Sequence, residues 1–427
     1  MTDFSAAVYQ NEYLADGSTD VHAIVTLTCR GAGKAGQTSE GDAGEIVIVD
    51  TSGSMGWPGV RAAQAAAAAA LDQVIDGTWF ALIAGTHVAR LVFPFPGAPM
   101  GMVQLTPETR ALARQAIGYL APDGGTAMGT WLELAADVVR SVPAVIQAHA
   151  ILLTDGENQH ETPAQLDQRM AAAAGYLQVD CRGVGSHWQV GELRRIASTF
   201  MGTVDLIPQP QQMAAEFASL MSRAMARGVA SADLRVWTPQ GAQVLFVRQV
   251  SPAVEDLSAR RRELNPLTGA YPTGSWGDEE RDFHVAVRLP AARAVGQEQL
   301  AARVQLAVGD QVVAQGLVKA MWSDDSSLTA RINPEVAHYT GQTELAEAIQ
   351  DGLAARAAGD DRTATAKLGR AAQLAAETGN AEITSKLRKV VEIEEAATGK
   401  VRLKAGVDKL DEMALDTTST KTTRVHK

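Results

Sequence analysis

The sequence predicts an α/β fold, a doubly wound, mainly parallel sheet, joined to an antiparallel β-sandwich and a C-terminal helical module. Three observations carry this. Between 44 and 207, apolar strands such as "GEIVIVD" and "AHAILLTDGE" alternate with helical stretches of about ten residues or more. Strands buried on both faces and separated by helices belong to a mainly parallel sheet. After 229 the pattern changes to apolar–polar alternation broken by turn residues, as in "ADLRVWTP" and "DFHVAVRLP", which reads as antiparallel structure. From 342 to 398 the spacing is helical and each segment ends at a glycine, a common helix terminator.

The elements follow in order. Residues 6–30 alternate around "ADGST" and predict a hairpin, and 31–43 are Gly-rich and predict a flexible link. "GEIVIVD" is a buried strand leading to a helix over 59–76. Strands at 78–86 and 89–95 come next. The helix at 106–120 starts at a threonine cap followed by proline and glutamate. Helix 128–142, strand 148–157, helix 162–176, strand 177–185, helix 189–199, strand 202–207 and helix 210–228 complete the region. The hairpin shares the texture of the later β region, so the α/β domain is expected as an insertion in a β domain; the alternative pairs the hairpin with an edge of the α/β sheet. The expected divisions are 1–42 (hairpin, with the β domain), 43–228 (α/β domain), 229–334 (β-sandwich), 335–399 (helical bundle or repeat-like module) and 400–427 (flexible basic tail). The first two helical segments loosely resemble a tetratricopeptide pair, which would bind a peptide.

Composition bounds the function. The 427 residues are 46% apolar and 20% charged, ordinary globular material for two to four domains. A net charge of -11 works against nucleic acid and anionic membranes, and 5% aromatics argue against a base-stacking platform. No nucleic-acid partner is expected. Cys29 and Cys181 lack CxxC spacing and read as reduced thiols. No stretch reaches the length of an apolar membrane span, and the N-terminus shows no basic region followed by an apolar core. A cytoplasmic location is expected.

The chemistry lies where strands end. "EIVIVDTSGSM" stops a buried strand at Asp50 and continues with Ser52 and Ser54 at alternate positions. In doubly wound sheets, sites lie beyond the carboxyl ends of strands. A nucleophilic serine needs a histidine base, and no GxSxG elbow surrounds these serines. Hard oxygens with one or two carboxylates suit magnesium, with manganese or calcium as chemical neighbours; zinc would prefer His or Cys. Thr126, in "DGGTAMGT", and Asp155, in "ILLTDGE", are candidates to join them from other loops, with Gly156 expected to permit a sharp turn.

The set Asp50-x-Ser52-x-Ser54, then Thr126, then Asp155 resembles the metal-ion-dependent adhesion site of the von Willebrand factor type A domain, over roughly 43–227. The resemblance implies that Ser52, Ser54 and Thr126 contact Mg2+ through their hydroxyls. It implies that Asp50 and Asp155 hold the ion directly or through water, and that a partner's Asp or Glu fills the open position. The whole chain is also similar to actinobacterial type A domain proteins flanked by β-structure, a group associated with stress and Ser/Thr phosphorylation components. The expected function is therefore a Mg2+-dependent protein-interaction module or scaffold, with no catalytic residue. The alternatives are a metal-dependent hydrolase, for which Glu157 or His160 would be the base, and an assembly subunit beside a separate ATPase. The chain itself has no GxxxxGK[ST].

Other features read more plainly. "YPTGSWGDEERDFHV" (271–285) reads as a structured turn with Trp276 covering the β domain, and "MWSDDSS" (321–327) as a domain exit. Trp57 and His187 are expected at the rim of the metal site, and His160 on the surface. Thr417, Thr418, Thr420, Thr422 and Thr423, among basic residues, make the tail a candidate phosphorylated docking peptide.

Overall fold

The structure is a computed structural model that describes residues 2–36, 41–98, 101–291 and 294–424. Two compact units emerge. One comprises Ala32–Ala230 with Gly274–Gly277; the other comprises Met1–Gly31, Ser231–Thr273 and Asp278–Lys427.

The first unit is built on one mixed, mainly parallel sheet. Its strand order is Val204–Ile207, Gln178–Val184, Val145–Thr154, Asp42–Asp50, Trp79–Gly85, Ala89–Phe93. The first five run parallel to their neighbours; Ala89–Phe93 and the short Val103–Gln104 both pair antiparallel with Trp79–Gly85. Helix Gly56–Leu71 carries an alanine-rich face, with Val60, Ala63, Ala66, Ala67 and Ala70 buried. Small side chains let it approach the sheet closely, and Met213, Phe217, Leu220 and Met221 of helix Met213–Met225 share that core. The helices at Pro107–Ile117 and Pro163–Ala173 begin at Thr106 and Thr162, each a capping box with proline in the first turn.

Beneath the strands lies an ionic group that the apolar runs conceal. His149 sits between Glu45, with Nδ1···Oε2 at 2.7 Å, and Asp180, with Nε2···Oδ2 at 3.0 Å, all three buried. Burial alone would lower the imidazole's pKa, but the two carboxylates outweigh it and hold His149 up at about 9. Asp180 feels burial first, yet His149, Arg182 and Arg227 keep it well below the usual carboxylate range. Its Oδ1 also accepts from Thr203 N and Oγ1, each at 2.6 Å. Burial pushes Glu45 upward despite His149.

The second unit contains a five-stranded and a six-stranded sheet, ordered Asp3–Gln10, Asp20–Arg30, Glu280–Arg288, Gln243–Ser251, Glu255–Asp256 and Arg262–Asn265, Thr268–Trp276, Val229–Trp237, Glu298–Val308, Gln311–Trp322, Tyr13–Leu14. Asp20–Arg30 pairs antiparallel with Asp3–Gln10 and Glu280–Arg288, Gln243–Ser251 antiparallel with Glu280–Arg288, and Glu298–Val308 antiparallel with Val229–Trp237 and Gln311–Trp322, beside which Tyr13–Leu14 runs parallel. Because Asp20–Arg30 pairs with Glu280–Arg288, the α/β unit interrupts the chain of this one. Gly316 lets the sheets meet, since a Cβ there would lie 2.6 Å from Val8 Cγ2. The same unit holds helices Pro334–Ala357, Asp361–Glu377 and Ala381–Val390, whose Leu345, Ile349, Leu368, Leu374, Ile383 and Leu387 form a common core.

Four expectations are corrected. The helix expected through 398 stops at Val390, where "VEIE" alternates apolar and charged residues and pairs as strand Val391–Glu395 with Lys400–Leu403. Residues 271–285 are largely strand, and buried Trp276 falls in the segment Gly274–Gly277, which clusters with the α/β unit. The expected link at 31–43 has Asp42 already in a strand, its 37–40 portion lying outside the described residues. The expected flexible tail folds as far as it is described: strand Lys400–Leu403 and helix Lys409–Thr418, with Met413 and Leu415 buried. Thr417 and Thr418 are buried too, Thr417 Oγ1 bonding Met413 O at 2.9 Å. Beyond them Thr422 Oγ1 donates to Val250 O, Gln342 Nε2 to Thr423 Oγ1, and Arg424 binds Glu280. Such threonines do not form a mobile phosphorylated peptide; Val425, His426 and Lys427 lie outside the described residues. Among the described residues no helix is long and apolar enough to cross a membrane.

Candidate metal-binding site

From strand Asp42–Asp50 the chain passes first to Trp79–Gly85 on one side and later to Val145–Thr154 on the other. The sheet order thus reverses between Asp42–Asp50 and Val145–Thr154. A crevice opens at the carboxyl ends of strands where order reverses. Val49 pairs with Leu153, so Asp50 and Thr154 come side by side there.

Asp50 is fully buried. Its Oδ1 accepts from Ser52 N at 2.8 Å and its Oδ2 from Thr154 Oγ1 at 2.6 Å. The first bond curls the chain after the strand and brings the two serine hydroxyls together, Oγ···Oγ 2.9 Å. Ser54 Oγ then donates to Asp155 Oδ1 at 2.8 Å. Gly156 is at ordinary φ, and a Cβ there would stand in ordinary contact with both Ser54 Oγ, at 3.4 Å, and Thr126 Oγ1, at 3.6 Å. Thr126 Oγ1 therefore faces the same spot. Burial pushes the Asp50 carboxyl up to about 6, against hydrogen bonds from Ser52 and Thr154, and the charge of Asp155 adds to the rise. Burial raises Asp155 as well, with Ser54 and His187 opposing. Both carboxylates thus lack a sufficient counter-charge.

The loops are locked together by backbone. Asp123 N donates to Thr51 O at 2.7 Å, and Gly53 N to Gly124 O at 2.8 Å. Thr126 is gripped by His160 at both ends: Thr126 N donates to His160 Nδ1 at 3.2 Å, and His160 N to Thr126 O at 3.0 Å. His87 Nδ1 takes the Gly125 amide at 3.4 Å. Gly124, at φ +60, has no room for a side chain beside His87. The helix after Thr126, Met128–Arg140, has its first amides bound by Asn158 Oδ1 at 2.9 Å and Glu161 Oε1 at 2.6 Å.

All five sequence-selected residues lie on these interlocked loops. Trp57 is exposed on the first turn after Ser54, and the charge of His187 acts on Asp155. His160 lies on the surface as expected, and its exposed ring also holds the Thr126 amide. Sequence reasoning missed Thr154, which orients Asp50, and His87. The signal for Thr154 was its place as last residue of a buried strand; His87, in another loop, left none. Among the described residues no group of three or more His, Cys, Asp and Glu is gathered as for a metal ion. The oxygens that meet here come from two carboxylates and three hydroxyls.

Two family models match the chain, the von Willebrand factor type A domain over residues 46–157 and the von Willebrand factor type A C-terminal domain over 373–419. The second match spans part of the segment expected to be tail. A solved structure, von Willebrand factor type A from Catenulispora acidiphila, is 45% identical, with 99% of this chain and 97% of that one covered and a TM-score of 0.92. The ArnB paralog VWA2 from Sulfolobus acidocaldarius shares the fold at 14% identity, covering 98% of each chain, with a TM-score of 0.59. An uncharacterized Synechocystis protein, sll0103, is 27% identical over 266 residues, and the match spans 60% of this chain and 60% of that protein. With 45% identity along nearly its full length to one such protein, this chain belongs to the von Willebrand factor type A family.

Proposed function

We propose that the chain is a non-catalytic protein-interaction module that binds an Asp or Glu of a protein partner through a divalent cation, Mg2+ with Mn2+ or Ca2+ as substitutes. Asp50, Ser52, Ser54, Thr126 and Asp155 would hold the ion. The observation that carries this reading is the oxygen spacing at the sheet's switch point. Neighbouring oxygens of an octahedron with metal bonds of about 2.1 Å stand roughly 3 Å apart. The Ser52–Ser54 and Ser54–Asp155 pairs, at 2.9 and 2.8 Å, suit that geometry. Membership of the family supports the same reading.

A bound cation supplies an electrophilic centre for an incoming carboxylate. The residues of the chain do the rest. Asp50 organises the serine loop, Thr154 orients Asp50, and His160 fixes Thr126. Three neutral hydroxyls among the five ligands leave the ion more electrophilic than a site made of carboxylates alone, which favours an anionic partner group. The hydrolase reading gains no support from its two candidate bases: Glu157 accepts from Gln189 Nε2 at 2.5 Å, and His160 Nδ1 is occupied by a backbone amide.

A thermal unfolding series tests the proposal. Mg2+ at about a hundredfold excess over its Kd should stabilise the wild-type protein by about 2.7 kcal/mol. Asp155→Ala should abolish that gain while retaining the fold, because Asp155 is half-exposed and its side chain is held by a hydrogen bond from Ser54. Equal Mg2+ stabilisation of both proteins would defeat the assignment.

A further inference from the structure

The cation reading leaves the Nε2 edges of two rim histidines unused. His87 and His160 are exposed, with ring centroids 5.9 Å apart and planes inclined by 41°. They lie over the two glycines before Thr126. A Cβ on Gly125 would fall 1.9 Å from His160 Cε1, and one on Gly124 would fall 2.4 Å from His87 Nδ1. Each ring accepts a backbone amide hydrogen at Nδ1. An N–H aimed at a ring nitrogen requires a lone pair there, so in both rings Nδ1 is the acceptor and the ring hydrogen resides on Nε2. Neither Nε2 makes a hydrogen bond among the described residues. The backbone thus fixes two neighbouring N–H donors beside a site whose acidic groups are more recessed.

A carboxylate that gives one oxygen to a cation keeps a second oxygen with lone pairs to satisfy. We propose that His87 and His160 determine specificity by donating Nε2–H to that second oxygen, selecting Asp or Glu over Asn or Gln. An amide-bearing partner would set its NH2 against these donors and leave polar groups unpaired, the kind of mismatch that discriminates strongly. The inference rests on the cation-dependent reading and adds the groups that recognise the partner's carboxylate.

Asparagine separates this role from the support of Thr126. In His87→Asn and His160→Asn the side-chain oxygen replaces the Nδ1 acceptor while the Nε2–H is lost. Calorimetry on the full chain gives the Mg2+ affinity of each protein. The Mg2+-loaded proteins are then titrated with acetyl-Gly-Leu-Asp-Gly-amide and its Asn counterpart, followed by NMR of the histidine side-chain nitrogens. The Asp peptide should shift both wild-type Nε2 resonances and bind about tenfold or more tightly than the Asn peptide. At Mg2+ saturating for each protein, the double variant should bind the Asp peptide about tenfold more weakly than wild type and show a correspondingly smaller preference over the Asn peptide. Wild-type affinity for the Asp peptide in the double variant, equal binding of both peptides by wild type, or no peptide binding would overturn the proposal. Failure of the wild-type protein to bind Mg2+ appears separately in the calorimetry and defeats the cation reading itself.

Discussion

Replacing His149 by alanine is expected to destabilise the α/β unit by about 3–5 kcal/mol at pH 7, the usual cost of removing one partner from a buried ionic group. The imidazolium is the cation between buried Glu45 and Asp180, at 2.7 and 3.0 Å. Without it the two carboxylates keep Arg182 and Arg227 as nearby charges, but lose their hydrogen-bonded partner. The pH dependence follows from the raised pKa. An imidazole at about 9 in the fold and about 6.5 when unfolded contributes stability that is fully present below 6.5 and lost as pH rises through 9. Asp180, shifted down, contributes in the opposite sense, with stability present above about 3.8 and lost on acidification toward its folded pKa. Glu45, shifted up, works against the fold once ionised. Urea unfolding of wild type and His149→Ala should therefore differ most near pH 6.5 and converge toward pH 9.5. A difference that stays constant across this range would contradict the charged imidazole.

Gly85→Ala is expected to be the second large effect, and it reaches the site. Gly85 ends the strand beside Asp50, and a Cβ there would lie 2.4 Å from Trp131 Cε2. Trp131 is fully buried and donates from Nε1 to Thr86 O at 2.6 Å, the same oxygen that accepts Ala127 N at 3.1 Å. The added methyl must displace the ring, and the ring is tied to the residues on both sides of the site. Overpacking of this kind costs about 1–3 kcal/mol. Moving Thr126 by way of Ala127 should weaken Mg2+ binding by about tenfold. Gly191→Ala serves as the control, because a Cβ there meets nothing within 4 Å; it should leave both quantities unchanged or slightly raise helix stability. Mg2+ calorimetry and urea titration of the two variants check both parts.

The sequence carried the parallel sheet well, because strands buried on both faces and capped helices leave strong local patterns. "EIVIVD", Thr106 with Pro107, and Thr162 with Pro163 each announce their element within a few residues. The candidate ligands were legible because they stand at strand ends and share one chemistry. The supports were not. Thr154 matters through the parallel register that sets it against Asp50, and His87 through a loop packed on Gly124. Glu45, His149 and Asp180 each look like an isolated polar residue until three strands align. The C-terminal helix was misread for a different reason. Threonines and lysines suggested a polar tail, but Met413, Leu415, Thr417 and Thr418 are buried side chains of a helix in the second unit. Likewise the period-two pattern at Val391 and Ile393 was hidden behind a strong helix.

The central claim is that Asp50, Ser52, Ser54, Thr126 and Asp155 together hold one divalent cation. Crystals grown with Mn2+ and measured at the manganese absorption edge test it most directly. An anomalous peak is expected beyond the carboxyl end of strand Asp42–Asp50, about 2.0–2.3 Å from the Ser52 and Ser54 hydroxyl oxygens. The peak should be absent from crystals of Asp155→Ala grown at the same Mn2+ concentration. No peak at this position in the wild-type protein, with the Ser54–Asp155 hydrogen bond intact, would contradict the claim.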